Sequence, residues 1–494
     1  MEKKSWWPLI GGMIALLAYA WAIAPIREVV VDDSYITYRY AENFANGHGP
    51  VFNVGERVEG YSNPAWLGLL AIVHTLGLSV PVAAKVLGML AAMGCMRLTW
   101  KIGVDVLGLS APAAWFSTMY LATNIGFAYY SISGMETIFY LMGILGFFYH
   151  AQRGNPVLAT VFACLMVTTR PEGVMYLVAL GFWLFVNRKE NGKWWLPCLV
   201  PVFVYAVLSF IKHGYYGAWL PNTHAAKIGF MDADDSGFMP RLWALGKYTF
   251  SEDAVPIYVW ALMMLGAVSL PLKRVLPAVS AVCAAVFFVW YSGGDWMSFQ
   301  RFYVPVLPLM ALMAFASADF LHRHMDRGWQ RHAVWLVCLM WLMPNLQATR
   351  IDAKRLLAGE HYNPAMNSRP HVIVADYLRD HTQPGDVIVV NEIGAIAYVG
   401  QRDVVDMLGL TDKVIPTFFP GKQYDKLAAY VLARNPKYVL LNDKQATDST
   451  EMHPIHKAIH EQMMSSGRYV MERSFALNKY KNLLAFVRKD EPAR

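Results

Sequence analysis

The chain has 494 residues, 56% hydrophobic and 14% aromatic, with only 16% charged, well below the roughly 25% of an ordinary soluble domain, and so reads as a polytopic membrane protein. Its formal charge of +7 comes without a basic stripe interleaved with aromatics, which argues against nucleic acid and for positively charged cytoplasmic loops. Cys95, Cys164, Cys198, Cys283 and Cys338 all fall in apolar segments without paired or ligand-like spacing, so neither a disulfide framework nor a structural zinc site is indicated.

The chain opens on MEKKSWWPLIGGMIALLAYAWAIAP, a basic start followed by an apolar run to Ala24. Its small-residue end would suit a cleaved signal, but many further apolar segments follow, so an uncleaved first span is expected. The basic clusters MEKK, RLTWK, AQRGN, NRKENGK, LKR and HRHMDRGWQRH are then expected on the cytoplasmic side. Reading 64–80 as a juxtamembrane helix on the outer face keeps the parity of every later basic loop. The spans fall at 7–24, 82–100, 111–130, 135–150, 156–169, 173–187, 194–211, 256–271, 275–291, 304–321 and 333–347. Several of these eleven helices are shorter than the ~20 residues that cross a bilayer. The N-terminus is expected inside and the C-terminus outside.

This order predicts two domains: a transmembrane domain over 1–347, with a first external loop at 25–63, and an extracytoplasmic domain over 348–494. Four polar stretches share the outer face, at 25–63, 131–136 with 170–172, 212–255 and 292–303. In the tail, helix-like periodicity alternates with β-branched runs, which predicts a small α/β domain with core strands at 386–390 and 437–441. No short-period repeat is visible, which removes solenoids. The segment GDVIVVNEIG invites a dinucleotide-binding reading, but it lacks Gly-x-Gly-x-x-Gly.

Two adjacent aspartates, Asp32 and Asp33, follow the first apolar run in VVVDDSYITYRYAENFANGHG. Neighbouring carboxylates at a membrane boundary repel each other, so the chemical reading is a carboxylate base with its neighbour tuning it or binding a cation; the plain alternative is a solvated loop end. If the stretch is helical, Asp32, Tyr35 and Arg39 share one face.

The stretch DDSYITYRYAENFANGHGPVFNVGERVEGYSNPAW resembles the first external loop of a bacterial glycosyltransferase family with the GT-C membrane fold, whose best-known members include the terminal arabinofuranosyltransferases of cell-wall arabinan. SGMET, TRPEG, YYGAWLPNTHAAK, GGDWMSFQRFYVPVLPL and DMLGLTD follow in matching order, so the resemblance reaches from the first loop into the tail. It implies a polytopic α-helical membrane protein, GT-C-like with about eleven transmembrane helices and a small C-terminal α/β extracytoplasmic domain, in a bacterial inner membrane with its N-terminus cytoplasmic and its tail periplasmic. The implied enzyme moves a sugar, best taken as arabinofuranose, from a polyprenyl-phosphate donor to a glycan, a lipopolysaccharide or a secreted protein such as a pilin. The family favours inversion, with Asp32 as the base and Asp33 as the alternative. A lipid-linked sugar flippase is the competing class, but the polar motifs gather on one face and no duplicated halves are visible.

The departing phosphate calls for cations and fixed donors, and Arg170, His224, Lys227 and Arg301 are the candidates. Each has a plainer role: Arg170 pairing with Glu172 or Glu136, Lys227 snorkelling, His224 as an ordinary polar residue, and Arg301 pairing with Asp295. Tyr38, Arg39, Glu59, Tyr61, Asn63, Asn222 and Trp296 complete the candidate binding residues. For Tyr61, Trp66, Trp219, Trp296 and Tyr303 the alternative to sugar stacking is the interfacial aromatic belt. The residues leave open whether Asp33 and Glu59 hold a divalent cation, and no other cofactor is indicated.

Overall fold

Proline and asparagine set many of the helix starts. Asn124 and Asn155 cap the helices Ile125–Ile132 and Pro156–Thr169, their side-chain oxygens accepting from the N–H groups of Phe127 and Leu158 at 3.1 Å, and Pro156 takes the first helical position, where its missing N–H costs nothing. The structure, a computed structural model, describes residues 7–188, 192–230, 237–251, 256–326, 328–361, 363–444 and 452–489. The basic start MEKK lies outside the described residues, as does the side chain of Lys227.

The chain divides into two compact units. One comprises Met1–Arg27, Ala84–Leu208 and Ser236–Lys354; the other comprises Glu28–Ala83, Ser209–Asp235 and Arg355–Arg494. The first unit is helical. Among the described residues, five helical segments are long and apolar enough to cross a membrane: Leu9–Ile26, Val80–Leu107, Leu196–Tyr216, Leu272–Ser292 and Val304–His324. A sixth is counted if Ile125–Ile132 and Thr137–Gln152, bent by 112°, form one broken span. Shorter apolar helices include Pro156–Thr169, Gly173–Val186 and Ile257–Ser269.

Small residues let these helices approach closely, as in membranes generally. A Cβ built on Gly266 would sit 1.6 Å from the Met313 carbonyl oxygen, so Ile257–Ser269 packs backbone to backbone against Leu307–His324. The 112° bend turns at Gly134, where φ is +88°, a conformation glycine adopts without Cβ strain. Its polar corner carries Glu136 into the start of the next helix.

The second unit is built on a five-stranded sheet in the order β2-β1-β3-β5-β4. The strands are β1 (Val387–Val390), β2 (Asp403–Asp406), β3 (Tyr438–Lys444), β4 (Tyr469–Ala476) and β5 (Lys481–Arg488). β1 pairs in parallel with β2 and β3, while β5 is antiparallel to β3 and β4. A core of Val389, Val439, Leu441, Leu427, Val431 and Ile459 joins the sheet to the helices Tyr424–Ala433 and Pro454–Ser466. Helix Asp32–Ala45 belongs to the same unit. It is amphipathic, and it buries Tyr35, Tyr38, Arg39 and Tyr40.

Candidate active site

Each unit carries its own cluster of the singled-out residues. In the second, Val31 is extended and Asp32 opens the helix. The Asp32 carboxylate reaches across the chain to the first turn of helix Ile393–Gly400, accepting the Gly394 N–H on Oδ2 at 3.0 Å and the Ala395 N–H on Oδ1 at 2.8 Å. It thereby does the work of an N-cap from outside the helix, satisfying two of its orphan donors and meeting the positive end of its dipole. Asp32 is 2% exposed. Burial pushes its pKa up to about 6, against the pull of those two hydrogen bonds. Asp33, one residue on, is half-buried.

Glycine at 394 is what makes this contact possible. A Cβ there would lie 1.9 Å from the Asp32 carbonyl oxygen and 2.7 Å from its carboxyl carbon. We expect Gly394→Ala to displace the loop and cost about 1–3 kcal/mol by overpacking. Thermal unfolding in detergent checks this: the melting temperature falls, and Asp32→Ala added on top costs less than it does alone, because the two changes break one contact.

Arg39 is buried and spends its donors on backbone carbonyls: Nε on Phe52 at 2.7 Å, Nη1 on Ala397 at 2.5 Å and Nη2 on Arg402 at 2.8 Å. Tyr38 packs its ring on Tyr35 and Tyr398, with centroids 5.3 and 5.8 Å away. Asn63 donates to the Thr37 hydroxyl at 3.1 Å. Tyr61 is buried and accepts from the Tyr216 hydroxyl at 3.3 Å. Glu59 is buried against Lys212 at 2.5 Å; desolvation raises its pKa and the ammonium draws it back.

Asn222 ties two further motifs together. Its side-chain amide donates to the carbonyls of Gly409 at 2.6 Å and Asp412 at 2.8 Å, and its backbone N–H to the Glu59 carbonyl at 2.8 Å. His224 is half-buried in the same helix. Asp406, buried at the end of β2, holds that loop from within by accepting from the N–H groups of Leu408 and Thr411. The polar motifs of the first loop thus fold onto the tail's own backbone.

The first unit gathers a buried ion network. Pro171 forbids helix at its predecessor, so Arg170 is extended at φ −147°, ψ 141° and ends helix Pro156–Thr169. Its Nη1 donates to Glu136 Oε1 at 2.8 Å and its Nε to Glu172. Both partners that the sequence offered it are therefore engaged. Arg301 pairs with Asp295, Nε to Oδ2 at 2.7 Å. It is presented by a contorted turn in which Phe299 and Gln300 both have positive φ, held by Gln300 donating to the Tyr248 carbonyl at 2.5 Å; such strain persists only where the surroundings over-determine it. Arg170, Glu172 and Arg301, with Thr137, Tyr140, Tyr176, Phe288 and Phe302, line a cavity of about 10 Å³. Trp296 and Trp219 are exposed, the latter stacked on His213, whereas Trp66 and Tyr303 are buried.

Sequence reasoning did not single out Lys212 or the Gly394–Ala395 N–H pair, and it held Asp406 only as the first residue of DMLGLTD. The N–H pair had a signal in VIVVNEIGA, a glycine four residues after the last residue of a β-branched run. No group of three or more His, Cys, Asp or Glu side chains among the described residues is arranged to hold a metal ion.

Residues 360–485 match a family described as a domain of unknown function, DUF8728. The chain is 25% identical over 358 residues to the terminal β-(1→2)-arabinofuranosyltransferase of Corynebacterium glutamicum, covering 62% of this chain and 50% of that protein. It is 26% identical over 305 residues to the enzyme of the same name from Mycobacterium tuberculosis, covering 56% and 45%. The chain thus spans about half the length of the curated relatives it matches. Among solved structures it resembles ArnT from Cupriavidus metallidurans bound to undecaprenyl phosphate, with TM-score 0.56, 14% identity, and 97% and 98% of the two chains covered. The fold is of the GT-C type, and in sequence the chain resembles the terminal arabinofuranosyltransferases.

Proposed function

We propose that this chain is an integral-membrane glycosyltransferase moving a sugar, arabinofuranose by its likeness, from a polyprenyl-phosphate donor to an extracytoplasmic glycan, lipid or protein. The names of its relatives and the polyprenyl phosphate bound by its fold neighbour support the reading. The observation that carries it is the unequal aspartate pair. Asp32 has both oxygens on backbone N–H groups and is closed to solvent, while Asp33 stays half-open at the start of the same helix. We therefore assign the base to Asp33 and the positioning of that helix to Asp32. Asp33 takes the proton of the acceptor hydroxyl as its oxygen attacks the anomeric carbon. The bond from that carbon to the phosphate oxygen breaks, and the lipid phosphate departs with the electron pair. One displacement inverts the anomeric centre. Arg170 and Arg301 are the proposed counter-charges for the phosphate. The same proposal places eleven spans in a bacterial inner membrane, the N-terminus cytoplasmic and the tail periplasmic.

Release of polyprenyl phosphate from synthetic polyprenyl-phosphate arabinofuranose, followed with purified protein and a cell-envelope acceptor, tests the reading. Turnover that depends on acceptor supports transfer. A folded chain that turns over none of several lipid-linked sugars would refute it.

A further inference from the structure

Within the second unit, β1 lies between β2 and β3 and is parallel to both. The chain leaves β1 for a neighbour on one side and returns on the other, which makes the carboxyl ends of β1 and β3 a switch point, the place where an open α/β sheet leaves a crevice. Open α/β sheets place their ligands at such switch points. Here Glu392, two residues past β1, accepts on Oε1 from the Asn442 side chain of β3 at 2.9 Å, bridging the two strand ends.

The remaining capacity of these side chains is unspent. Glu392 Oε2, Asn442 Oδ1 and Asn391 Oδ1 are buried without a hydrogen-bond partner among the described residues. So are both ring nitrogens of His371, a residue 0% exposed in the first turn of helix Arg369–His381, within electrostatic reach of Glu392 and Lys481. Native proteins leave few such atoms unsatisfied, and each costs about 1–3 kcal/mol. Their types define the ligand. Three oxygens accept only, and a neutral histidine offers one donor and one acceptor. A matching ligand must bring several donors and an acceptor within a short span. Sugar hydroxyls each do both, whereas a phosphate or carboxylate would confront Glu392. The seat an anion would prefer, the N-terminus of helix Ile393–Gly400, already holds the Asp32 carboxylate.

We propose that this crevice is a saccharide subsite, formed by His371, Asn391, Glu392 and Asn442, that holds the acceptor's sugar beside the aspartate-bearing loop. The loop is tied to it twice: Asp32 binds the two residues after Ile393, and Ser368 donates its N–H to the Val30 carbonyl at 2.9 Å. The assignment of the sugar as acceptor rests on the transferase reading; the binding itself does not.

The test titrates the full chain in detergent with methyl arabinofuranoside and methyl glucopyranoside, reading saturation transfer to the sugar protons, with inorganic phosphate as a control ligand. The native chain is expected to bind a glycoside and ignore phosphate at this site. The isosteric Glu392→Gln should weaken glycoside binding at least ~10-fold at unchanged melting temperature; Asn442→Asp, which sets a second carboxylate against Glu392 Oε1, should weaken it as much and lower the melting temperature. In turnover, the same two changes should raise the acceptor KM and leave kcat within ~2-fold. A flat titration of the native chain, as for a crevice satisfied by water alone, overturns the subsite, and so does native-like binding by both variants. Because the titration needs no donor, sugar binding without polyprenyl-phosphate release overturns the transferase reading and leaves the subsite standing.

Discussion

Asp33→Asn is expected to reduce polyprenyl-phosphate release by about 10²–10⁴-fold, the span of general-base assistance, in a chain that still folds. The asparagine keeps the volume and removes the proton acceptor. Asp32→Asn should behave differently. Its amide nitrogen would face one of the two N–H groups that the carboxylate now accepts, leaving a buried donor unsatisfied at about 1–3 kcal/mol. Its melting temperature therefore falls, and activity falls with it because helix Asp32–Ala45 loses its anchor. The two variants are separated by measuring unfolding and turnover on the same preparations. Loss of turnover in a fully stable Asp32→Asn, with Asp33→Asn active, would return the base to Asp32.

This distinction was not legible in the sequence. The pair DD announces a carboxylate site, and the helical spacing of Asp32, Tyr35 and Arg39 is realised in helix Asp32–Ala45. What decides between the two aspartates is a contact with residues 362 and 363 positions away, and no local pattern encodes that distance. Arg39 is similar. A buried arginine satisfied by three carbonyls looks in sequence like any cation near an active loop, until Ala397 and Arg402 are known to face it.

Legibility of the sheet followed apolar content. The runs at 386–390 and 437–441 are realised as β1 and β3, buried on both faces in the middle of the sheet. β2 reads DVVD, with only two apolar residues, and β4 is exposed along most of its length at the edge, so neither stands out by hydropathy. Helix positions were legible from apolar runs, but their role was less so. Pro156–Thr169 and Gly173–Val186 are 14 residues each, too short by length alone to establish a span.

The ion pairs of the first unit were legible for a stereochemical reason: in TRPEG the proline forces Arg170 out of the helix and sets Glu172 two residues on. Their energetics make the second large prediction. Arg170 stands between two carboxylates with 9–10% or less of each side chain exposed. Arg170→Met removes an ion-pair partner from both carboxylates and leaves two like charges away from water, which should cost about 3–5 kcal/mol. Adding Glu136→Gln and Glu172→Gln removes the stranded charges, so the triple variant should recover most of the lost stability; replacing a whole buried ion network by neutral groups is often close to neutral. Activity then distinguishes the roles. If Arg170 only organises the corner between two helices, the refolded triple variant recovers turnover along with stability. If it also meets the donor's phosphate, stability returns and turnover does not, with the deficit appearing as weaker binding of polyprenyl phosphate. The second outcome is the one the proposed phosphate role requires; Arg301 borders the same water-sized cavity as Arg170.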